Sequence, residues 1–520
     1  MLYFYKNKDI KFYFIYIKGM HDSMDRKFMK KNEANKFGLL KKLLYSTQGL
    51  NIQEIITTSH ESRSTIYRYI QQINEDLSLL FSTPPIQIEQ KNTTFDIVLP
   101  DSVNIAHVLD TVRLSYVYIS PENLIFVAAG DKKHASLESL AQSINLSPSY
   151  TYKSLNVINS QLSYFRVKIA FGDSSQKSNV YGAEADIRFF LFYLYWNTHK
   201  GITWPFDKSP DYFKELPIPI NTTLAPSQHT RLRYYQNITY WRILYLQEKI
   251  SLAEDFLIYL TIFDNGNPTK FTTDLSSTLT SNELKNEQVY FGYLGRFFIP
   301  DIDTNEIKKK TAKRFIDSKL PLTKSCSNLL NLIQKKYDLV MDQEEYLFYY
   351  YNTMVTLLYL HYIEIDYYSI LENENRLSFL DGDEQNFSKI EKDLNNLVTQ
   401  FFAADPFLKK MTAEGLVTYL TNLLYCIIDS TRTIKPLYIL CQYSKNFYML
   451  DKIKNYLLTT FGPRAIQFTI DIQQADVIIS DSYEGDIDNR KFFYFEDVFN
   501  STTWEALSIF ISERIQAFYF

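Results

Sequence analysis

Two stretches of this sequence repeat each other without a gap, SRSTIYRYIQQINEDL at 62–77 and SPSYTYKSLNVINSQL at 147–162. Both begin with serine, and the asparagine near the end of the first stretch, Asn74, recurs as Asn159. A constant register over so many positions indicates one structural unit that is used twice. Whatever this chain folds into must therefore contain two copies of the same small unit.

The composition favours helices as the setting for this repeat. The chain has 520 residues, enough for several domains, and only 14 glycines against 41 tyrosines and 38 phenylalanines. Few glycines and many large side chains are typical of helices packed on helices rather than of turn-rich β architectures. The net charge of −4 gives no overall basic character, so any binding to nucleic acid must come from a local patch.

The three cysteines, Cys326, Cys426 and Cys441, are widely spaced. A sparse, odd set argues against a disulfide framework and fits the reducing cytoplasm. Neither a CxxC pair nor an HExxH pattern occurs in the sequence, so no metal and no cofactor is expected.

The N-terminal stretch LYFYKNKDIKFYFIYIKGM is aromatic and basic. Its longest apolar run, Phe12 to Ile17, is too short to cross a membrane, and a small-residue cleavage site is lacking. A signal peptide is therefore not predicted, and a soluble cytoplasmic protein is expected. Three interpretations of the stretch stay open: a translated upstream region with Met20 or Met24 as the true start, a β-strand, or an amphipathic arm.

Around the first stretch, the pattern predicts a winged helix-turn-helix. Apolar residues at helical spacing indicate a helix near 36–46, Asn51 caps a two-turn helix, and Ser62 caps a third helix that runs to about Leu80. This order of helices is the helix-turn-helix. The alternating stretches IQIEQ and TFDIVL then predict a β-hairpin, the wing. The predicted buried face of the third helix holds Ile66, Ile70, Ile73 and Leu77.

The second stretch predicts the same unit again. ENLIFVAAG and SLESLAQSI supply its first two helices. Ser147 with Pro148 opens the third helix, as a cap followed by proline at the first helical position. FRVKIAF and SNVYG are predicted to form the second wing.

The exposed face of each third helix carries hydroxyl groups and a basic residue near the helix N-terminus. Such side chains suit the bases of the major groove and the flanking phosphates, so both units are predicted to bind double-stranded DNA. The small charge excess of this region predicts salt-sensitive binding with modest base readout. A winged helix used only for protein contacts is the alternative. The predicted DNA-binding residues are Ser62, Arg63, Ser64, Thr65, Tyr67, Arg68, Ser149, Tyr150, Tyr152 and Lys153.

The middle of the chain, about 182–430, predicts long aromatic helices in two sets that are separated near Pro300. Each set has a histidine late in an aromatic helix, His199 and His361. Packed histidines without a chemical role are the alternative interpretation. His229 lies in a polar stretch and is read as a surface residue.

After Pro436 the pattern changes to short apolar runs. PLYILC, AIQFTI, ADVIIS and KFFYF are predicted as strands, and NFYMLDKIKNYLLTTFG as a helix that is closed by Gly462. Thr502 and Glu505 predict a capping box at the start of the last helix. This order predicts a small α/β domain with a mostly parallel sheet.

The loop after the first of these strands, CQYSKN, contains no glycine. It therefore lacks the bare backbone amides that a phosphate cradle uses. Cys441 is interpreted as a buried structural thiol rather than a nucleophile, because neither His nor Arg lies beside it in the sequence.

The order of two winged helices, two helical bundles and a small α/β tail resembles the Mga/AtxA-type transcriptional regulators of Gram-positive bacteria. Residues 36–520 fit this order, and the two repeated stretches carry the resemblance together with IRFFLFYLYWNTHKGITWPF at 187–206. The last string looks like the opening helix of the first phosphotransferase-system regulation domain (PRD) of that family. The tail resembles the phosphotransferase EIIB fold, although it lacks the Cys-plus-glycine loop of working EIIB enzymes.

The resemblance implies a multidomain, mainly α protein with two N-terminal winged helix-turn-helix domains, two all-α PRD-like helical bundles and a C-terminal α/β EIIB-like domain. The expected segments are an N-terminal extension (1–35), the winged helices (36–100 and 101–182), the PRD-like domains (183–300 and 301–432) and the EIIB-like domain (433–520).

The resemblance also implies a DNA-binding transcriptional regulator, expected to be an activator and not an enzyme. Its PRD-like domains would receive phosphate on histidine from a phosphocarrier protein, with His199 and His361 as the candidates. These domains and the tail would support a homodimer or a higher homo-oligomer. Two other classes stay open, a phosphocarrier enzyme and an RNA-binding antiterminator. The missing loop glycines argue against the first, and two winged helices argue against the second.

Overall fold

The computed structural model of the protein describes residues 28–46, 48–83, 85–172, 177–206, 224–265, 269–299, 302–366, 384–409, 414–431, 436–445, 448–482 and 491–519. The aromatic N-terminal stretch and the predicted interruption at Pro300 lie outside these residues. The described chain is mainly helical, with a helix-turn-helix near its N-terminal end and a small parallel sheet in its C-terminal region.

The first repeat folds as three helices followed by a hairpin, as the sequence predicts. They are α1 (Lys31–Tyr45), α2 (Ile52–Ser59), α3 (Arg63–Leu80), β2 (Gln87–Lys91) and β3 (Thr94–Val98). The predicted inner face of α3 is buried, at Ile66, Ile70, Ile73 and Leu77. The caps are also as predicted, since the Asn51 side chain accepts a hydrogen bond from Gln53 N.

A third strand of this sheet was not predicted. β1 (Leu50–Asn51) pairs antiparallel with β3, so the strand order is β1-β3-β2. Two residues are too few to show an alternating pattern. Gly49 precedes β1 with φ of +71°, and a Cβ at this position would lie 2.6 Å from Phe95 O. Only glycine combines this backbone conformation with so close an approach.

The second repeat has the same order of elements. It consists of α5 (Pro121–Asp131), α6 (Leu137–Ser143), α7 (Pro148–Leu162) and the antiparallel pair β4 (Lys168–Ile169) and β5 (Val180–Tyr181). The three predicted helices and the second wing are therefore present.

A helix that was not predicted, α4 (Ile105–Tyr118), lies between the two repeats. Asn104 caps it, accepting a hydrogen bond from Ala106 N at 2.8 Å. Most of its buried residues recur every four positions along one face, as in other amphipathic helices. The buried residues are Val108, Leu109, Val112, Arg113, Leu114, Tyr116 and Val117.

Helices follow through the middle of the chain, and several of them are long and rich in aromatic residues, as predicted. They are α8 (Glu184–His199), α9 (Pro226–Leu244), α10 (Glu254–Asp264), α11 (Thr273–Thr278), α12 (Ser281–Phe298), α13 (Asn305–Ser318), α14 (Pro321–Tyr337), α15 (Gln343–Leu358), α16 (Glu384–Ala404) and α17 (Glu414–Thr431). α15 continues into a π-helical turn, Tyr359–Ile363.

A buried ion network holds α8 against α9 and α12. The fully buried Arg188 places Nη1 2.5 Å from Glu287 Oε2 and Nε 2.7 Å from Glu184 Oε1, and Arg242 also pairs with Glu184 at 2.5 Å. Burial alone would raise the pKa of Glu184, but the two guanidinium groups outweigh it and lower that pKa. Because breaking one member leaves another charge buried and unpaired, the network fixes α8 firmly in place.

The chain divides into two compact units. One consists of the described residues within 1–327, 344–379 and 402–420, and the other of those within 328–343, 380–401 and 421–520. The first unit contains both repeats, α8 and the π-helical turn. The finer division into six segments stays a prediction.

The second unit ends in the predicted α/β region. Its strands are β6 (Leu437–Cys441), β7 (Ile466–Thr469), β8 (Val477–Ser480) and β9 (Phe492–Tyr494), all parallel in the order β7-β6-β8-β9. Helices α18 (Met449–Phe461) and α19 (Ser501–Tyr519) complete it. Buried side chains from the sheet and both helices form one apolar core, which includes Ile439, Cys441, Ile453, Val477 and Leu507.

The capping box predicted for the last helix is wrong. α19 begins at Ser501, and the residue that caps it is Asn500, whose Oδ1 accepts from Thr502 N at 3.0 Å and from Thr502 Oγ1 at 2.8 Å. Thr502 is thus a donor inside the helix and not its cap. Asn is at least as good an N-cap as Thr, and it stands just before the first helical residue.

Candidate nucleic-acid interface

The third helices of the two repeats begin in the same way. Ser62 Oγ accepts a hydrogen bond from Thr65 N at 3.2 Å, and Ser147 Oγ accepts one from Tyr150 N at 3.3 Å. Each serine satisfies an amide that the helix cannot pair internally. The repeated serine of the sequence is therefore explained by one backbone requirement that occurs twice.

The predicted contact residues of the first repeat form one polar surface at the start of α3. Ser62, Arg63, Ser64 and Arg68 are exposed, while Thr65 and Tyr67 are half-buried. The hydroxyl groups of Ser62 and Ser64 lie 3.0 Å apart, and that of Thr65 lies 2.8 Å from Ser62 Oγ. This surface therefore offers clustered hydroxyls and two guanidinium groups to a ligand.

Tyr67 connects this surface to the wing. The Arg63 guanidinium lies 5.8 Å from the centre of the Tyr67 ring, and hydrogen bonding with Arg63 lowers the pKa of Tyr67. The Tyr67 hydroxyl also accepts from Gln90 Nε2 at 3.4 Å, and its ring meets Phe95 edge-on at 5.6 Å. The contacts with Arg63 and with the wing hold the Tyr67 ring in one position, where it can contact a ligand.

The second repeat presents a different surface at the same positions. Ser149, Tyr150, Tyr152 and Lys153 are all exposed on α7, and Tyr152 exposes 59% of its surface. The structure thus brings the predicted residues of each helix together on one face. This face has one cation where α3 has two, so the two repeats are similar in shape but not in charge.

Sequence reasoning missed several residues that border these surfaces. Gln71 and Asn156 occupy equivalent positions of the repeat, one turn beyond Arg68 and Lys153, and both are exposed. The repeat register would have found this amide pair. The wings add exposed cations at Lys91, Lys168 and Lys177. An open groove of about 970 Å³ lies between α3 and the first wing, lined by residues that include Tyr67, Arg68, Gln71, Asn74, Gln90 and Phe95.

The two candidate histidines have different settings. His199 is the last residue of α8 and is buried, with Nδ1 2.7 Å from Thr203 Oγ1. Lys200 closes the helix in the left-handed conformation, and the His199 side chain packs inside the protein instead of reaching solvent. His361 lies in the π-helical turn, is half-buried, and contacts Phe407 at 6.2 Å between ring centres.

Arg166 connects the second repeat to α8, which carries His199, and to the π-helical turn, which carries His361. It follows α7, and its guanidinium donates to both carboxylate oxygens of Asp186 on α8, at 3.0 and 2.7 Å. It also donates to Ile363 O in the π-helical turn and lies 3.7 Å from Glu364. This role was not predicted, since Asp186 lies 20 residues and Ile363 lies 197 residues from Arg166 along the chain.

The loop after β6 in the second unit is filled by a carboxylate. Asp481 accepts from Ser444 N at 2.9 Å, from Ser444 Oγ at 3.0 Å and from Lys445 N at 3.1 Å. Burial opposes ionisation here, but these donors outweigh it and lower the pKa of Asp481. Cys441, the last residue of β6, is buried, and burial raises the pKa of its thiol to about 12. Such a pKa is typical of a buried structural thiol.

Within the described ranges, every helix falls short of the length or the apolar character that a membrane span needs. The same part of the chain brings together no three His, Cys, Asp or Glu side chains in a way that would hold a metal ion.

A capped third helix, its supporting helices and a hairpin wing define a helix-turn-helix protein. Residues 115–195 match the family model described as the Mga helix-turn-helix domain. This part of the chain is similar to that domain, and the match supports the resemblance to Mga-type regulators. No curated protein matches the chain. The family match indicates a DNA-binding transcriptional regulator.

The match covers the second repeat and not the first. It contains all of α5, α6 and α7 and ends at residue 195, inside α8 and before His199. The assignment of α3 to the same function therefore depends on the internal repeat and on the matching geometry of the two helices.

Proposed function

We propose that this protein regulates transcription, as an activator, by placing both α3 and α7 in the major groove of promoter DNA. The observation that carries the proposal is the duplication. Two helices start on the same serine cap, bury the same positions and expose hydroxyls with a basic residue on the same face. Hydroxyls and cations near the N-terminus of such a helix contact base edges and phosphates. We refer to α3 and α7 below as the recognition helices.

Regulation of this binding by phosphorylation is the second part of the proposal. We place PRD-like domains at 183–300 and 301–432 and an EIIB-like domain at 433–520, as the family resemblance implies. A phosphocarrier protein would modify His199 or His361. Arg166 supports a link to DNA binding, because it ties the second repeat to α8 and to the turn that holds His361.

A phosphocarrier enzyme is a weaker alternative. The backbone amides of Ser444 and Lys445 already receive the Asp481 carboxylate, so an incoming phosphoryl group would have to displace it. The high pKa of Cys441 also argues against a thiol that accepts phosphate. The duplicated helix-turn-helix geometry argues in turn against an RNA-binding antiterminator.

The test is to remove the cations of the first recognition helix. Arg63→Ala and Arg68→Ala should each weaken binding to promoter fragments, by about 1–3 kcal/mol where the guanidinium contacts a base. Lys153→Ala should mainly reduce the dependence of affinity on salt if that ammonium contacts phosphate. Affinity is measured by fluorescence anisotropy across a range of salt concentrations.

The matched control is Lys310→Ala, which removes a cation from α13, where Lys310 pairs only locally with Glu306. It should leave DNA binding unchanged. If a folded variant that lacks the polar side chains from Ser62 to Arg68 bound promoter DNA as tightly as the wild type, the proposed interface would be wrong.

A further inference from the structure

One asparagine in each repeat docks the wing onto the recognition helix. Asn74 Oδ1 accepts from Ile88 N at 2.7 Å, and Asn74 Nδ2 donates to Ile88 O at 3.0 Å. In the second repeat, Asn159 makes the same pair of bonds to Ile169, at 2.7 and 3.0 Å. The asparagine that the sequence repeats therefore performs the same task twice.

This contact is not a consequence of how the chain connects the two elements. Ile88 follows Asn74 by 14 residues, whereas Ile169 follows Asn159 by only 10. The connection differs by four residues, yet both hydrogen bonds keep their lengths. A contact that survives such a change in the loop is defined by the asparagine and the strand themselves.

The chemistry explains why the residue is asparagine. β2 lies at the edge of its sheet, so one side of the strand has no neighbouring strand to satisfy its amides and carbonyls. A carboxamide offers one donor and one acceptor, and it can pair with both backbone groups of a single residue. Two bonds to one residue fix the strand in position and in orientation.

Both wings carry exposed lysines, and the asparagine contact would fix their position relative to the recognition helix. Lys91 stands at the end of β2 and Lys168 at the start of β4, and both are exposed. Lys177 of the second wing instead donates to Tyr245 O at 3.4 Å. Each wing thus presents an ammonium group, and each recognition helix presents its own cation. Phosphate contacts from both elements require a fixed distance between them.

We propose that Asn74 and Asn159 are positioning residues that lock each wing to its recognition helix, so that helix and wing bind DNA as one rigid body. This inference rests on the proposed DNA binding. It adds that the wing lysines contact phosphate only while the asparagine holds the wing in place.

The experiment is a double-mutant cycle between Asn74 and Lys91 in the full chain, with DNA affinity measured over a series of salt concentrations. In the wild-type background, Lys91→Ala should reduce the slope of log affinity against log salt by about one, the value for one lost phosphate contact. In the Asn74→Ala background, Lys91→Ala should cause no further change, because the wing is already undocked. Asn396→Ala, which removes an exposed asparagine side chain from α16, is the matched control and should leave the slope unchanged.

A merely structural role for Asn74 gives a different result. Loss of folded protein lowers the active fraction equally at every salt concentration and leaves the slope as it was. Equal effects of Lys91→Ala in both backgrounds, or no effect of it in the wild type, would overturn the proposal. If the wild type itself bound no DNA, the proposed function would fail, and not the positioning role alone.

Two further measurements test the proposal even if Asn74→Ala misfolds. Asn74→Asp keeps an acceptor for Ile88 N but loses the donor to Ile88 O, and it should give a weaker form of the same uncoupling. The second repeat offers an independent cycle, Asn159→Ala with Lys168→Ala, for which the same loss of coupling is expected.

Discussion

His199 shows how the surroundings of a single side chain limit its chemistry. Its ring is buried at the end of α8, with Nδ1 against Thr203 Oγ1. The next residue, Lys200, reaches Asp110 of α4 at 3.5 Å. A phosphoryl group on the ring would add negative charge beside this ion pair. It would therefore compete with Asp110 for Lys200 or separate the packed surfaces.

We expect His199→Glu to mimic this change and to alter DNA affinity or oligomeric state. A switch of this kind corresponds to a change in affinity on the order of 5- to 150-fold. His199→Ala introduces no charge and should preserve the unmodified functional state. DNA titrations and light scattering on both variants measure the effect.

The control for this experiment is His229→Glu, since His229 is exposed on α9 and stands apart from the ion pair. It should change neither quantity. Loss of folding in both His199 variants, or no change in either, would instead assign His199 a purely structural role.

At the scale of elements, α4 connects the first recognition helix to the end of α8. The Tyr116 hydroxyl donates to Asp76 of α3 at 2.5 Å, and Asp76 also pairs with Lys36 of α1 at 2.8 Å. Burial and the adjacent Asp76 carboxylate raise the pKa of Tyr116, so the phenol keeps its proton. Through Asp110, the same helix receives Lys200.

We expect Tyr116→Phe to lower the free energy of unfolding by about 1.5–3 kcal/mol, the range for a hydrogen bond to a charged group. It should also weaken the response of DNA binding to His199→Glu, because α3 loses one of its contacts with α4. Chemical denaturation measures the first effect, and titration of the double variant measures the second.

Tyr118→Phe is the matched control, since Tyr118 is on the same helix with 59% of its surface exposed. It should leave stability within about 0.5 kcal/mol of the wild type. An unchanged response to His199→Glu in the Tyr116→Phe background would show that α4 does not transmit the signal.

At the scale of the whole molecule, the α/β region leaves large apolar side chains in contact with water. Ile470 exposes 98% of its surface, Phe499 76% and Ile509 57%. Where such side chains lie together, they mark a surface that another protein covers. A dimer would also pair the recognition helices with two half-sites on DNA.

We therefore predict that the full chain forms a dimer or a higher oligomer at micromolar concentration. Phe499→Asp should weaken the association by roughly 10- to 100-fold if the side chain becomes buried in the assembly, as expected from about 1.5–3 kcal/mol for a large apolar group. Sedimentation or light scattering, with and without DNA, measures the effect.

Ile258→Asp, at an exposed apolar site of the first unit, is the control and should leave the association intact. Only monomer in both conditions would contradict the prediction.

Much of the local structure could be predicted from the sequence, because helix caps, hairpins and short strands are specified by neighbouring residues. The caps at Asn51, Ser62 and Ser147 act within three residues, so the starts of α2, α3 and α7 could be predicted. The hairpins with alternating apolar and polar residues and the short apolar strands of the tail could be predicted in the same way. The internal repeat further predicted that the two recognition helices are equivalent.

Contacts between residues far apart in the chain could not be predicted. The buried face of α4 has helical spacing, but its packing against α1, α3 and α8 depends on residues far away in the chain. The partners of Arg166, the burial of His199 and the carboxylate in the loop after β6 join residues that are far apart in the chain. The sequence showed that Asn74 recurs as Asn159, but only the fold shows that both hold a wing, because that contact exists only once helix and strand have packed together.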